Sequence, residues 1–397
     1  MSIFVSHPGL QHSHQLAWAL HDRGLLQNFW SGVPVLDEAE SPPAWMPTRY
    51  ARKLKITGIP VSLRRHPVIF PALVRGTRFL PSSFPASDSQ HRIFHLFDRW
   101  VAGHIKNLRP RVVIAYENSA YHTFQAAKQI GARCILDAAS FHHTTVQRLM
   151  RVKETPYLAE INRRKDAEID AAELILTCSP LAAQSYLDAG VPNHRIHTSL
   201  LGAELPSVVA RSGIKLATKP LHFVFAGGLR YLKGIDFILS AFQKLHAEAH
   251  PYTLTFIGGE GEAGWIRKIQ KTPGASYCSN LPQKALFQKL AQADCLLLPS
   301  RFDSFGMVVA EAMACGTPAI VSTQVGSKAI IEQFPDSGWI ISPDANALYE
   351  CVKSLIQRPE QLTKARAVAF DAAQQFTWQA YRQRVGLFIE QWMQEHT

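Results

Sequence analysis

Acidic side chains are missing from one long stretch of this 397-residue chain: between Ser41 and Ser87 there is no Asp or Glu. The stretch holds Arg49, Arg52, Lys53, Lys55, Arg64, Arg65, Arg75 and Arg78, eight of the formal +11 charges. Long apolar runs are absent too; none approaches the roughly 18 residues that a membrane-spanning helix needs. The N-terminus, MSIFVSHPGL, lacks a basic stretch leading into an apolar one, so no secretory signal is expected. Cysteine is sparse: Cys134, Cys178, Cys278, Cys295, Cys315 and Cys351 are scattered, with no C-x-x-C pair. They read as reduced core residues of a cytoplasmic protein.

Within the acid-free stretch, Trp45, Tyr50, Phe70, Phe79 and Phe84 alternate with the cations and with many prolines. Basic residues interleaved with aromatics suit an anionic membrane surface, at about 1 kcal/mol per basic side chain. A solvated loop with a few core anchors fits the same pattern. No recognised nucleic-acid module accompanies the charge, so nucleic acid is not expected as a partner.

Short apolar runs alternate with helical patterns. Ile3-Phe4-Val5, Val112 to Ala115, Cys134-Ile135-Leu136 and Leu174-Ile175-Leu176 read as strands. Gln11 to Arg23, Tyr121 to Ile130 and Leu181 to Ala189 read as helices, the first stopped by Gly24. The pattern restarts with strands at Phe223 to Ala226, Leu254 to Ile257, Cys295 to Leu298 and Ala319 to Val321. Such alternation predicts an α/β fold of two doubly wound parallel sheets. Leu205 to Pro220 has little periodicity and reads as the linker. The expected units are 1–204, 205–375 and a final helix at 376–397. That helix belongs to a helical segment from Ala365 to His396, anchored by Trp378 and Trp392, and is expected to pack back on the first unit.

The densest motif is Pro299 to Pro318, PSRFDSFGMVVAEAMACGTP. A buried strand runs into a polar loop with Asp303, and Glu311 lies eight residues later on a helix. Between them Ser304, Phe305 and Gly306 present backbone N–H groups at a helix N-terminus, where an anion is favoured. With a helix starting near Phe305, Glu311 lies about 9 Å along the axis. A retaining glycosidase holds its carboxyls only about 5.5 Å apart, so the pair reads as a ligand clamp rather than a hydrolytic dyad. Hydroxyls at both ends and phosphates in the middle describe a nucleotide sugar. By spacing alone, a capped helix with one Glu at a buried edge fits as well.

A second motif is Phe225 to Gly234, FAGGLRYLKG. Glycines after a strand let backbone approach a phosphate, and Arg230 and Lys233 can neutralise it. It is neither a G-x-G-x-x-G turn nor a Walker loop. The loop Ser6-His7-Pro8-Gly9-Leu10 follows the first strand, with His12 and His14 just beyond. The three histidines could be drawn as a metal cluster, but no carboxylate or Cys completes it in the sequence. Glu117 and Asn118 follow another strand and point at the same sheet edge.

These segments resemble glycosyltransferase family 4. Pro299 to Pro318 matches the family signature at nearly every fixed position, the departure being Asp303 where the family usually has Glu. Lys233 matches the family Lys that binds the donor diphosphate. Gly228 stands at the family Arg position, with Arg230 two residues on. Gly9 is retained from a Gly-Gly loop, and His142, in DAASFHHTT, matches a His that faces the donor sugar. Gly258-Gly259-Glu260-Gly261 resembles a turn near the nucleotide, Ser279 to Pro282 a segment that contacts the base, and Leu201 to Glu204 a domain-junction element.

The resemblance implies a GT-B fold of two facing Rossmann-like domains. It also implies a retaining transfer from a UDP-, GDP- or ADP-sugar to a glycan or lipid-linked glycan in cell-envelope polysaccharide synthesis, with no metal or other cofactor. On that reading Asp303, Glu311, Lys233, Arg230 and His142 carry the chemistry. Gly9, Gly228, Gly258, Gly259, Ser304, Phe305, Gly306 and Met307 bind the donor. Peripheral contact with an anionic membrane on its inner face is the matching location. The alternatives are a non-catalytic glycan- or partner-binding GT-B protein, or another GT-B enzyme such as a sugar-nucleotide epimerase. A glycan phosphorylase would need a pyridoxal-phosphate lysine site, which is not evident.

Overall fold

The computed structural model describes residues 2–34, 58–67, 70, 86–206 and 220–396. Most of the acid-free stretch and most of the expected linker therefore lie outside the described residues. Of the eight cations noted there, Arg64 and Arg65 are described, and Arg65 lies over the rings of Trp30 and Trp100 at 4.9 and 5.3 Å.

The first sheet comprises β1 (Ile3–His7), β2 (Leu26–Ser31), β3 (Arg64–Arg65), β4 (Val112–Tyr116), β5 (Arg133–Ala138), β6 (Leu174–Thr177) and β7 (Ile196–Thr198). Its order is β3-β2-β1-β4-β5-β6-β7, and every described pairing is parallel. Around it lie α1 (Ser13–His21), α2 (Ala86–Leu108), α3 (Tyr121–Gln129), α4 (His143–Met150), α5 (Pro156–Ala171) and α6 (Pro180–Asp188).

The second sheet comprises β8 (Leu221–Ala226), β9 (Tyr252–Ile257), β10 (Ala275–Cys278), β11 (Cys295–Leu298), β12 (Ala319–Ser322) and β13 (Gly338–Ile341), in the order β10-β9-β8-β11-β12-β13. Its helices are α7 (Ile235–Ala247), α8 (Trp265–Gln270), α9 (Gln283–Gln292), α10 (Met307–Ala314), α11 (Lys328–Gln333), α12 (Ala345–Gln357) and α13 (Glu360–Ala373). The last helix, α14 (Trp378–Glu395), returns to the first sheet.

Helices on both faces bury the central strands completely, and β1, β4, β6, β11 and β12 are buried at every residue. That explains why they read as continuous apolar runs rather than alternating ones. In both sheets the strand order reverses at one point, between β1 and β4 and between β8 and β11. Ligands of open parallel sheets bind outside the carboxyl ends of strands at that reversal. Both dense motifs fall there: the glycine loop follows β8 and the Asp303 loop follows β11.

Three element boundaries differ from the sequence reading, each for a local reason. The first helix starts at Ser13, because the chain turns through a positive φ of 37° at Gln11. α10 starts at Met307 rather than near Phe305, because Gly306 sits in the left-handed region at φ 85° as its N-cap. Glu311 is therefore one turn into the helix, about 6 Å along its axis rather than 9. The helical segment from Ala365 breaks between α13 and α14. Thr377 caps α14 by accepting from Ala380 N at 3.0 Å, and Ala203 bonds to both sides of it.

That junction ties the two sheets together. Ala203 N donates to Phe376 O at 2.8 Å, and Trp378 N donates to Ala203 O at 3.2 Å. A methyl group on Gly202 would lie 2.4 Å from the Thr377 carbonyl, so the two strands of chain touch backbone to backbone. α14 then packs on α1, with Val385 and Ile389 buried, Arg382 bonded to Gln15 Oε1 at 2.6 Å, and an Arg23–Glu390 ion pair at the edge. The six cysteines are free, four of them buried and Cys278 and Cys351 half-buried.

Candidate active site

The glycine loops after β8 and β9 are zipped together. Gly227 N donates to Ile257 O and Leu229 N to Gly259 O, each at 2.9 Å. A methyl on Gly258, at φ 149°, would meet the Gly227 carbonyl oxygen at 1.8 Å, so this approach requires glycine. Tyr277 donates its hydroxyl to Gly258 O at 3.0 Å, and Asn280 lies against Gly259, which brings the Ser279–Pro282 segment beside the same loops. The zipped pair throws the chain into a short turn at Tyr231–Lys233, and that turn delivers Lys233.

Lys233 Nζ lies 2.5 Å from Asp303 Oδ2. Asp303 is itself held by backbone: its N–H donates to Gln324 O at 3.0 Å, and its carbonyl accepts from Gly326 N at 2.9 Å. Ser304, Phe305 and Gly306 follow at the start of α10, whose N-terminal dipole end opens on the same space. Beside them Arg301 makes a two-pronged ion pair with Asp236 at 2.6–2.7 Å and bonds to Tyr231 O, bracing the two loops against each other.

The cavity these loops enclose is about 560 Å³, within the usual range for small-molecule sites. From the second sheet it is lined by Gly227, Gly228, Lys233 and Asp303 to Val308. From the first sheet come Gln11, His12, Ala139 and Cys178, and Trp378 closes it from the start of α14. At one end the two sheets touch. Ser179 Oγ donates to Ser304 O at 2.6 Å, and the Phe141 and Phe302 rings meet at 4.8 Å.

On the first-sheet wall His12 Nε2 lies 3.0 Å from Asp137 Oδ1, both side chains buried. Burial works against charge on His12, but the Asp137 carboxylate, with Glu117 behind it, outweighs burial and raises its pKa. The wall therefore carries its own close pair, buried where Lys233 and Asp303 are half-buried, with His12 on the cavity surface and Asp137 behind it. Asp137 is the site residue that sequence reading passed over. Its signal was its place at the end of β5, where cleft residues gather, but its partner lies 125 residues away.

The other nominated residues fall around this core. Gly9 donates its N–H to His7 Nδ1 at 2.8 Å, and the His7 ring packs on Tyr116 at 4.1 Å. Burial above all holds His7 neutral, with a pKa lowered to about 3. His14 lies against Trp378, likewise lowered to about 4 by burial. The three histidines thus have separate partners and do not converge on one point. His142 is the N-cap of α4: its Nδ1 is 2.8 Å from Thr144 Oγ1, and its N–H donates to Ser185 Oγ at 2.9 Å. Burial and the neighbouring His143 lower it to about 4. It does not line the cavity; Ala139, three residues earlier, does.

Glu311 lies one turn beyond the cavity wall formed by Met307 and Val308, and burial raises its pKa. Arg230 is exposed at the rim, close over Gly228 and Gly261. Glu117 and Asn118 follow β4 at the reversal of the first sheet, but Glu117 lines a separate small void under α5 and Asn118 a pocket of about 300 Å³ beside α2.

Residues 220–358 match the family model described as Glycosyl transferases group 1. A curated relative, "Glycogen synthase" of Mycobacterium tuberculosis (strain CDC 1551 / Oshkosh), is 31% identical over 201 residues, covering 46% of this chain and 48% of the relative. The chain spans about half the length of the curated relatives it matches. Among solved structures, sucrose-phosphate synthase from Thermosynechococcus elongatus superposes with a TM-score of 0.69 at 17% identity over 100% of both chains. Anabaena Alr3699/HepE in complex with UDP-glucose gives 0.64 at 12% identity, over 98% of this chain and 100% of that one. At these identities the likeness shows the fold, two facing parallel-sheet domains of the GT-B type.

Proposed function

We propose that this chain, a GT-B protein whose residues 220–358 match the glycosyl transferases group 1 model, moves a sugar from a nucleoside diphosphate sugar to an acceptor hydroxyl with retention. The observation that carries the reading is the Lys233–Asp303 pair at the N-terminus of α10, set at the strand-order reversal of the second sheet inside an inter-sheet cavity. A UDP-glucose complex of a protein with the same fold supports a nucleotide-sugar donor.

In this reading Lys233, Arg230 and the Ser304 to Met307 amides hold the diphosphate. The bond from the anomeric carbon to the diphosphate oxygen breaks, and negative charge grows on the leaving group. Fixed donors that meet this charge contribute several kcal/mol to the transition state. A new bond forms from the anomeric carbon to the acceptor oxygen, whose proton passes to the leaving phosphate. Glu311 accepts hydrogen bonds from the ribose hydroxyls. Asp303, one methylene shorter than Glu, binds hydroxyls of the donor sugar once the diphosphate has drawn Lys233 away from it. His12, whose pKa the Asp137 carboxylate raises, faces the donor from the opposite wall. The side chains and the helix terminus supply the charge that a metal provides in other sites. The acceptor is a glycan or lipid-linked glycan of the cell envelope, reached from the first sheet while the protein rests on the inner face of the membrane.

The test is a donor screen that detects released UDP, GDP or ADP. Turnover of one donor class, lost in Lys233→Ala, supports the reading. Binding of a glycan without release of any nucleotide would assign the chain to a non-catalytic role instead.

A further inference from the structure

α4 ends in a surface that packing does not account for. Only His143 and Thr145 of this helix are buried. From Arg148 onward the chain is exposed: Arg148, Leu149, Met150, Arg151, Val152 and Lys153. Leu149, Met150 and Val152 are 36, 42 and 44% exposed, three of the few large apolar side chains left in solvent among the described residues. From His142 to Lys153 there is no acidic residue.

The turn that presents them is well formed. Val152 N donates to Gln147 O at 3.2 Å and Arg151 N to Arg148 O at 3.3 Å, the double bond pattern of a helix C-cap. In such caps the residue after the left-handed position usually folds an apolar side chain back onto the helix, and the left-handed position is usually Gly or Asn. Here Val152 faces solvent, and Arg151 occupies the left-handed position at φ 51°. That is a cost to an L-residue, met at six non-glycine positions among the described residues.

We propose that this turn, Arg148 to Lys153, is a docking surface for an anionic lipid bilayer. The apolar side chains enter the headgroup boundary and the three cations meet lipid phosphates, the combination that holds interfacial segments. Charge complementarity selects this occupant, since three cations against a single acid, the exposed Glu154, flank the apolar side chains. The opposite end of α4 begins beside the Phe141–Phe302 contact at the cavity, and an eight-residue helix is about 12 Å long. Docking would hold the first-sheet side of the cleft close to the bilayer. This deepens the proposed reading, in which the protein rests on the membrane, by naming the membrane-facing surface.

The experiment is co-sedimentation of the full chain with phosphatidylcholine vesicles and with vesicles containing 30% phosphatidylglycerol, at low and high salt. Binding to the anionic vesicles alone, weakened by salt, is expected. In Arg148→Gln/Arg151→Gln/Lys153→Gln it should fall about a hundredfold, at roughly tenfold or less per charge. In Leu149→Ser/Met150→Ser/Val152→Ser it should fall at least tenfold. Unchanged melting temperatures show that both variants fold. Wild-type binding in either variant, or no vesicle binding by the wild type, overturns the proposal. So does a dimer lost in the apolar variant with vesicle binding intact, which would assign the surface to a second copy. Nucleotide binding, measured in parallel, judges the transferase reading separately from the vesicle result.

Discussion

The two walls of the cavity are built by different means. On the second-sheet wall, backbone does most of the holding. The loops after β8 and β9 are zipped amide to carbonyl, and the Asp303 loop is clamped by Gln324 and Gly326. On the first-sheet wall, side chains do it: His12 on Asp137, His7 on Gly9 and Tyr116, Ser179 on Ser304. A backbone-held wall needs glycines at fixed steps, so it leaves a contiguous pattern in the sequence. A side-chain-held wall joins residues far apart and leaves no such pattern.

The sharpest way to break this comparison is at Lys233. Lys233→Ala removes the cation that meets the leaving group and strands Asp303 in the cavity. A fall in kcat/KM of about a thousandfold is expected, read as nucleotide release. A loss below tenfold would move the centre of the chemistry to the other wall.

Glycine substitutions compare the walls directly. Gly258→Ala places a methyl 1.8 Å from a carbonyl oxygen at a positive φ, and should cost on the order of 3 kcal/mol in chemical denaturation. Gly9→Ala meets only the His7 ring, at 3.5 Å, and should cost under about 1 kcal/mol. Equal costs would erase the distinction.

The His12–Asp137 pair makes a prediction of definite sign. The folded-state pKa of His12 is raised above its ordinary value. Its contribution to stability is therefore complete below about pH 6.5 and lost as pH rises through the folded pKa. Asp137→Asn should lower stability at pH 6 by about 2 kcal/mol and flatten that decline. A variant that keeps the wild-type pH profile would show that the pair is not charged in the folded protein.

The smallest effect is expected at His142. Its imidazole caps α4 instead of lining the cavity, so His142→Ala should cost about 1 kcal/mol of stability. It should change turnover by less than about threefold; a loss of a hundredfold would return His142 to the donor sugar.

The strands were legible because burial on both faces turns them into unbroken apolar runs, as at Cys295 to Leu298. Lys233 and Asp303 were legible because Gly234 adjoins the one and Gly306 lies three residues beyond the other, both glycines in the left-handed region. The start of α10 was misplaced by two residues, because Gly306 as a left-handed cap looks the same in sequence as a glycine inside a loop. The break before α14 depends on Ala203, about 170 residues away, and Asp137 owes its place to His12. Neither contact has a local signal.

The central claim is that the second-sheet wall binds the diphosphate of a nucleotide sugar through Lys233. Calorimetric titration of the wild type, Lys233→Ala and Asp137→Asn with UDP, GDP and ADP tests it most directly. The account predicts that one nucleotide binds the wild type, binds Asp137→Asn with less than about tenfold loss, and fails to bind Lys233→Ala. Binding of none of the three to the wild type, or equal binding to Lys233→Ala, would contradict it.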